Sequence, residues 1–195
     1  MNNCYEIHGF NVSDGGQDTT DRASPYLQAA GFEVVDVDYG HFGLVDVRER
    51  TEAVVNHLLL TVNPGDTFFA HSHGCAIAAL AIECGAPFSA GVMVHPALRS
   101  WWTPPKGLPL RQIAVFSRLT DYATWGAFLL RMFSPGRFKW GRHIWGAMGS
   151  TGPLSNHPKL KSHKGAHGHS GGFSNIEEWG PIWANALLEA CRAKH

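Results

Sequence analysis

The residues best equipped for chemistry in this 195-residue chain lie in Ala70-His71-Ser72-His73-Gly74. A serine hydroxyl is a weak nucleophile at neutral pH and needs a base within hydrogen-bond reach. Given that base, it can attack a carbonyl carbon while backbone N–H groups receive the charge that develops on oxygen. The sequence around Ser72 suits this task. A short apolar run, Thr67 to Ala70, stops at His71, and an Ala-rich segment with helical spacing follows Gly74. A strand that turns sharply into a helix lifts the serine above the sheet edge and aims the first helical N–H groups at the same point. Such a turn demands small residues two positions either side of the serine, here Ala70 and Gly74.

The elements that must hold this turn can be read in order. Cys4–His8 reads as a strand, Thr20–Ala30 as a helix closed by Gly31, and Phe32–Tyr39 as an alternating, β-branched strand. Val45–Thr61 carries apolar residues at three- and four-residue spacing and predicts a helix that ends before Asn63-Pro64-Gly65. After the serine turn, Ser89–His95 and Arg111–Ser117 read as buried strands and Lys159–His163 as a last strand. Asn175–Ala193 is an amphipathic final helix. Strands alternating with helices at these intervals imply a parallel sheet covered on both faces, with its ligand site at the carboxyl ends of the strands.

Composition narrows the class. Hydrophobic residues make up 44% and charged residues 16%, values of an ordered domain rather than a disordered one. No run reaches the roughly 20 apolar residues that a membrane span needs. Met1–Glu6 has neither a basic start nor an apolar stretch, and the four cysteines show no C-x-x-C spacing. Reduced thiols in a cytoplasmic protein are therefore expected. Net charge is zero but uneven: residues 1–98 hold 12 Asp/Glu and 3 Lys/Arg, or −9, and residues 99–195 hold 4 and 13, or +9. The halves either interleave and neutralise each other or leave a basic face on the C-terminal half.

With these residues in place, the chain resembles a small member of the α/β-hydrolase fold over nearly its whole length. The likeness rests on His8-Gly9 after the first strand, the turn at Ser72, Asp121 after Ile113–Ser117, and a histidine before the final helix. The order Ser, Asp, His is the one that fold uses. The resemblance implies a compact α/β architecture: a mostly parallel sheet of about six strands, helices on both faces, and one domain over residues 1–195. It implies a serine hydrolase, lipase- or esterase-like, with Ser72 as nucleophile, Asp121 as the acid and a downstream histidine as base. Asp121 is the only carboxylate between Glu83 and Glu177; it could equally cap the helix that follows, and Asp36 or Asp38 are alternative acids. The base is expected at His169, next to the last helix, with His167 as the alternative and His163 still on the strand. The oxyanion donors implied are the backbone N–H groups of Phe10 and His73. His8 is expected to brace its loop, His71 to serve packing or pocket polarity, and Tyr39 to end its strand or wall the pocket.

Asp121 and His169 are 48 residues apart, more than one helix and one strand require. Aromatic and basic residues interleave there, and a small cap within residues 123–158 is expected, facing a small-molecule or lipid-like acyl substrate. No cofactor, metal or nucleic-acid partner is expected. Two other classes compete. One is a non-catalytic member of the fold that binds a partner through its aromatic and basic surface. The other is a metal-binding protein using the pairs His71-x-His73 and His167-x-His169, although no acidic residue completes such a cluster.

Overall fold

Short β-branched and aromatic runs separated by helical spacing build the frame in the computed structural model, which describes residues 2–10, 14–40, 46–133 and 145–194. The strands are β1 (Asn3–Ile7), β2 (Glu33–Asp36), β3 (Thr67–His71), β4 (Ala90–Val94), β5 (Gln112–Ser117) and β6 (Leu160–Lys164). They form one six-stranded sheet in the order β2-β1-β3-β4-β5-β6, with every pairing parallel. The helices are α1 (Ser24–Ala29), α2 (Val47–Thr61), α3 (His73–Glu83), α4 (Tyr122–Phe133), α5 (Met148–Thr151), α6 (Gly171–Ser174) and α7 (Ile176–Arg192). A 3-10 turn at Thr20–Ala23 precedes α1, so the expected helix over 20–30 is two pieces, with Pro25 in the first turn of the second. The second strand is four residues long, not eight, and sits at the sheet edge with its outer residues exposed.

Because successive strand residues point to opposite faces, β3 supplies both cores at once. Phe68 and Ala70 join Ile7, Met93 and Val115 beneath α2 and α3, whereas Phe69 joins Val92, Val94 and Phe116 beneath α7. Trp183 and Leu187 of α7 are fully buried against that second face. A sheet buried on both faces explains why β3 and β4 read as continuous apolar runs. Gly91 makes room for this packing: a Cβ there would fall 2.2 Å from the Phe68 ring. The strand order also keeps the acidic N-terminal strands at one side of the sheet and the C-terminal strands β5 and β6 at the other.

One buried charge has a measurable consequence. Glu6 is 1% exposed on β1 and aligned with Asp36 on β2. Ser24 Oγ donates to its Oε2 at 2.7 Å, and Oε1 has no partner among the described residues. Burial, reinforced by the Asp21 and Asp36 charges against the relief from Ser24, pushes the Glu6 carboxyl up to about 8. The folded state therefore binds more protons than the unfolded state between about pH 4.5 and 8. Stability from this group is full below the ordinary carboxyl value and falls as pH rises to about 8. Glu6→Gln is expected to match wild type near pH 4.5 and to gain on it with rising pH, by roughly 2–4 kcal/mol at pH 8. Urea melts from pH 4.5 to 8.5 check this, and parallel wild-type and variant curves would contradict it.

Candidate active site

The turn between β3 and α3 is backbone-strained. Ser72 has φ 53° and ψ −117°, a region that costs a non-glycine residue roughly 1–3 kcal/mol and persists only where its surroundings impose it. Three backbone bonds do so. Ser72 N–H donates to the Val94 carbonyl at 3.0 Å, and the Ser72 carbonyl accepts from Ala97 at 3.0 Å and Cys75 at 3.2 Å. The serine is thereby fixed at the carboxyl edge of the sheet, on the N-terminus of α3.

Two further elements converge on it. Asp121 follows β5 and is fully buried at the start of α4. His169 lies between β6 and α6, directly after Gly168 at φ 77°. The His169 Nδ1–H donates to Asp121 Oδ1 at 2.9 Å, and the Ser72 hydroxyl lies 2.8 Å from His169 Nε2. That tautomer leaves Nε2 free to accept the serine proton. Asp121 Oδ1 also accepts the Thr124 N–H at 3.2 Å, so the carboxylate caps α4 and binds His169 together. Burial alone would raise the Asp121 carboxyl, but bonds and charge from His169 and His95 outweigh it and hold it well below the usual range. His167 is exposed.

The loop after β1 closes the other side. A Cβ added to Gly9 would lie 3.2 Å from Ser72 Cβ and 3.7 Å from its Oγ, so a glycine lets this backbone approach the serine without crowding it. The His8 Nδ1–H donates to the Gly9 carbonyl at 3.0 Å, and the Tyr39 hydroxyl donates to the His8 carbonyl while its ring stacks on His8. Tyr39 therefore braces this loop, a contact that a residue at a strand end does not reveal. The Phe10 ring packs edge-on against His73 and Trp145.

The histidines beside Ser72 have separate tasks. The His71 Nε2–H donates to the His169 carbonyl at 3.1 Å. Burial, with repulsion from His169, holds His71 well below its ordinary value and keeps it neutral. On the opposite side, Trp145 Nε1–H donates to His73 Nδ1 at 2.8 Å, and His73 Nε2–H donates to Thr51 Oγ1 at 3.0 Å. The Thr51 hydroxyl passes on to the Val47 carbonyl. Burial lowers His73 to about 3, in keeping with a ring nitrogen that accepts. His71 and His73 therefore converge on no common ion, and among the described residues no group of three or more side chains is arranged to hold a metal.

No family model and no curated protein sequence matches the chain. Solved structures do. The Pyrococcus furiosus esterase Pf2001 superposes with a TM-score of 0.60 at 11% identity, over 97% of this chain and 82% of that one. The chain has the α/β-hydrolase fold. A protein of the alpha/beta hydrolase superfamily from Xanthomonas campestris pv. campestris gives a TM-score of 0.56 at 17% identity, covering 97% and 99%. The pyrethroid hydrolase PytH gives 0.57 at 13%, covering 98% of both chains.

Within this α/β-hydrolase frame, Ser72, Asp121 and His169 meet; His73 follows the serine in the chain, and Phe10, next to Gly9, packs its ring on His73. Asp36 and Asp38 lie instead at the far edge strand and line a separate cavity of about 250 Å3 with Arg50 and His57. Phe138, Trp140, Ile144 and the basic residues Arg137, Lys139, Arg142 and His143 of the expected cap lie outside the described residues. Trp145 and Met148 belong to the core. Trp125 and Phe128 of α4, together with Trp101 and Leu154, wall an apolar cavity of about 190 Å3 in the segments that follow β4 and β5.

Proposed function

We propose that the chain is a serine hydrolase that cleaves a carboxylic ester through an acyl-enzyme on Ser72. The observation that carries this reading is the unbroken chain Ser72–His169–Asp121, with links of 2.8 and 2.9 Å, raised on a strained strand-to-helix turn. His169 takes the Ser72 proton as Oγ attacks the carbonyl carbon, and Asp121 holds the ring in its Nδ1–H tautomer and stabilises the imidazolium. The backbone N–H groups of His73 and Phe10 receive the oxyanion. His169 then protonates the leaving group, and water attacks the acyl-enzyme by the same route in reverse. Thioesters and amides present the same carbonyl to the same groups.

An ester is favoured by the names of the structural neighbours, an esterase and a pyrethroid hydrolase. Cys4, Cys75, Cys84 and Cys191 are unpaired, which supports a reducing compartment such as the cytoplasm. The machinery described needs no cofactor.

A fluorophosphonate probe tests the assignment. Wild type is expected to be labelled once, at Ser72, and to release the alcohol of an activated ester such as p-nitrophenyl acetate. Ser72→Ala is expected to lose both while melting as wild type does. A folded wild-type protein that resists the probe and leaves the ester intact would end the hydrolase reading.

A further inference from the structure

We propose that His95 is a positioning residue for the Asp121–His169 pair, holding the second oxygen of the Asp121 carboxylate so that the first stays aimed at His169. The proposal rests on the Ser72–His169–Asp121 reading above. His95 is the residue immediately after β4 and is fully buried. Its Nδ1 lies 3.2 Å from Asp121 Oδ2, the carboxylate oxygen that His169 does not use. Neither ring nitrogen of His95 nor Asp121 Oδ2 has a hydrogen-bond partner among the described residues, so the two groups meet at ion-pair distance with no other polar group on either. Asp121 thus sits between two imidazoles, one on each oxygen.

The backbone is arranged around this contact. His95 has φ 47°, one of two non-glycine residues with positive φ among the described residues; the other is Ser72. A buried side chain in so unfavourable a conformation is held by its surroundings, and such strain clusters at functional sites. The His95 N–H donates to the Phe116 carbonyl at 2.9 Å, tying the residue to the strand that delivers Asp121. Two glycines clear the space. A Cβ on Gly149 would fall 2.7 Å from Asp121 Oδ2 and 2.8 Å from the His95 carbonyl carbon. A Cβ on Gly165 would fall 3.1 and 3.2 Å from His95 Cε1 and Nε2. A carboxylate with an imidazole packed against each oxygen is hindered from turning about its terminal torsion, so the ring that bonds Oδ1 keeps its direction towards Ser72. His95 itself touches no reacting atom.

Two substitutions separate the donor from the bulk. Glycine adopts φ 47° without strain and removes the ring. Asparagine also tolerates positive φ, and its Nδ2 occupies the place of histidine Nδ1. In the purified full chain, His95→Gly is expected to lower kcat for p-nitrophenyl acetate about 10- to 100-fold, the loss of one close polar partner of a buried charge, with KM little changed. His95→Asn is expected to recover most of that loss. The proton resonance of His169 Nδ1–H, strongly deshielded by its carboxylate, reads the same positioning without turnover. It should broaden or move upfield in His95→Gly and return in His95→Asn. Wild-type kcat and an unchanged resonance in His95→Gly would overturn the proposal, as would an Asn variant as slow as the Gly variant. Failure of both variants to fold would make His95 a structural residue and overturn it too. A wild-type protein that is inert to the ester and to the fluorophosphonate is the separate result that removes the hydrolase reading.

Discussion

His169→Ala is expected to lower kcat/KM for an activated ester by roughly ten-thousand- to million-fold, the cost of removing the base from a triad that acts as a unit. His167→Ala should leave kcat/KM near the wild-type value. The two histidines are one residue apart in a glycine-rich loop, yet their environments differ. His169 has its ring bonded at both nitrogens, to Ser72 and Asp121, and its carbonyl held by the buried N–H of His71. His167 is exposed. Initial rates with p-nitrophenyl acetate and the rate of fluorophosphonate labelling both read the difference. A loss at His167 with His169→Ala active would reassign the base and require the loop to rearrange.

The proposed mechanism also requires an ionised Asp121. Bonds and charge from His169 and His95 hold its carboxyl well below the usual carboxylate range, so acidification through that range is expected to leave the Asp121 charge in place.

Much of this arrangement was legible in the sequence because it rests on local demands. Ala70 and Gly74 frame Ser72 because the turn is steric, and Asp121 stood out as a lone carboxylate just past a strand. The apolar runs in β3, β4 and β5 revealed a parallel sheet for the same reason: burial on both faces leaves a pattern in the residues themselves. Contacts between distant segments left no such trace. The choice between His167 and His169 is drawn by ring contacts to Asp121 and Ser72, 48 and 97 residues away. His95 read as the end of an apolar strand; its place beside Asp121 follows from the pairing of Val94 with Phe116. Tyr39 reaches the loop after β1 only because β2 pairs with β1. Trp145 read as part of a surface cap, yet its ring N–H is used inside, on His73. The unequal charge of the two halves was plain in the sequence, but its placement on opposite sides of the sheet follows from the strand order.

The largest expected effect on stability comes from the smallest change at the turn. Gly74→Ala adds one methyl group, and a Cβ there would sit 2.1 Å from the Ile7 carbonyl oxygen and 2.4 Å from that of His8. Neither obstacle is a side chain that can rotate away. Both belong to the backbone at the end of β1, which is hydrogen-bonded to β3 through the Ile7–Ala70 register. Relief requires α3 to lift from the sheet or the strand end to move, and α3 is itself buried over nearly its whole length. Overpacking against backbone of this kind costs about 4 kcal/mol, and the Tm is expected to fall by roughly 10 °C. Either displacement also shifts the His8–Phe10 loop relative to Ser72, so the surviving folded fraction should react slowly with a fluorophosphonate. Thermal melts and labelling rates measured together distinguish this from simple destabilisation: labelling normalised to folded protein must also drop. Wild-type stability in Gly74→Ala would mean that β1 and α3 do not make the close contact that holds the His8–Phe10 loop beside Ser72.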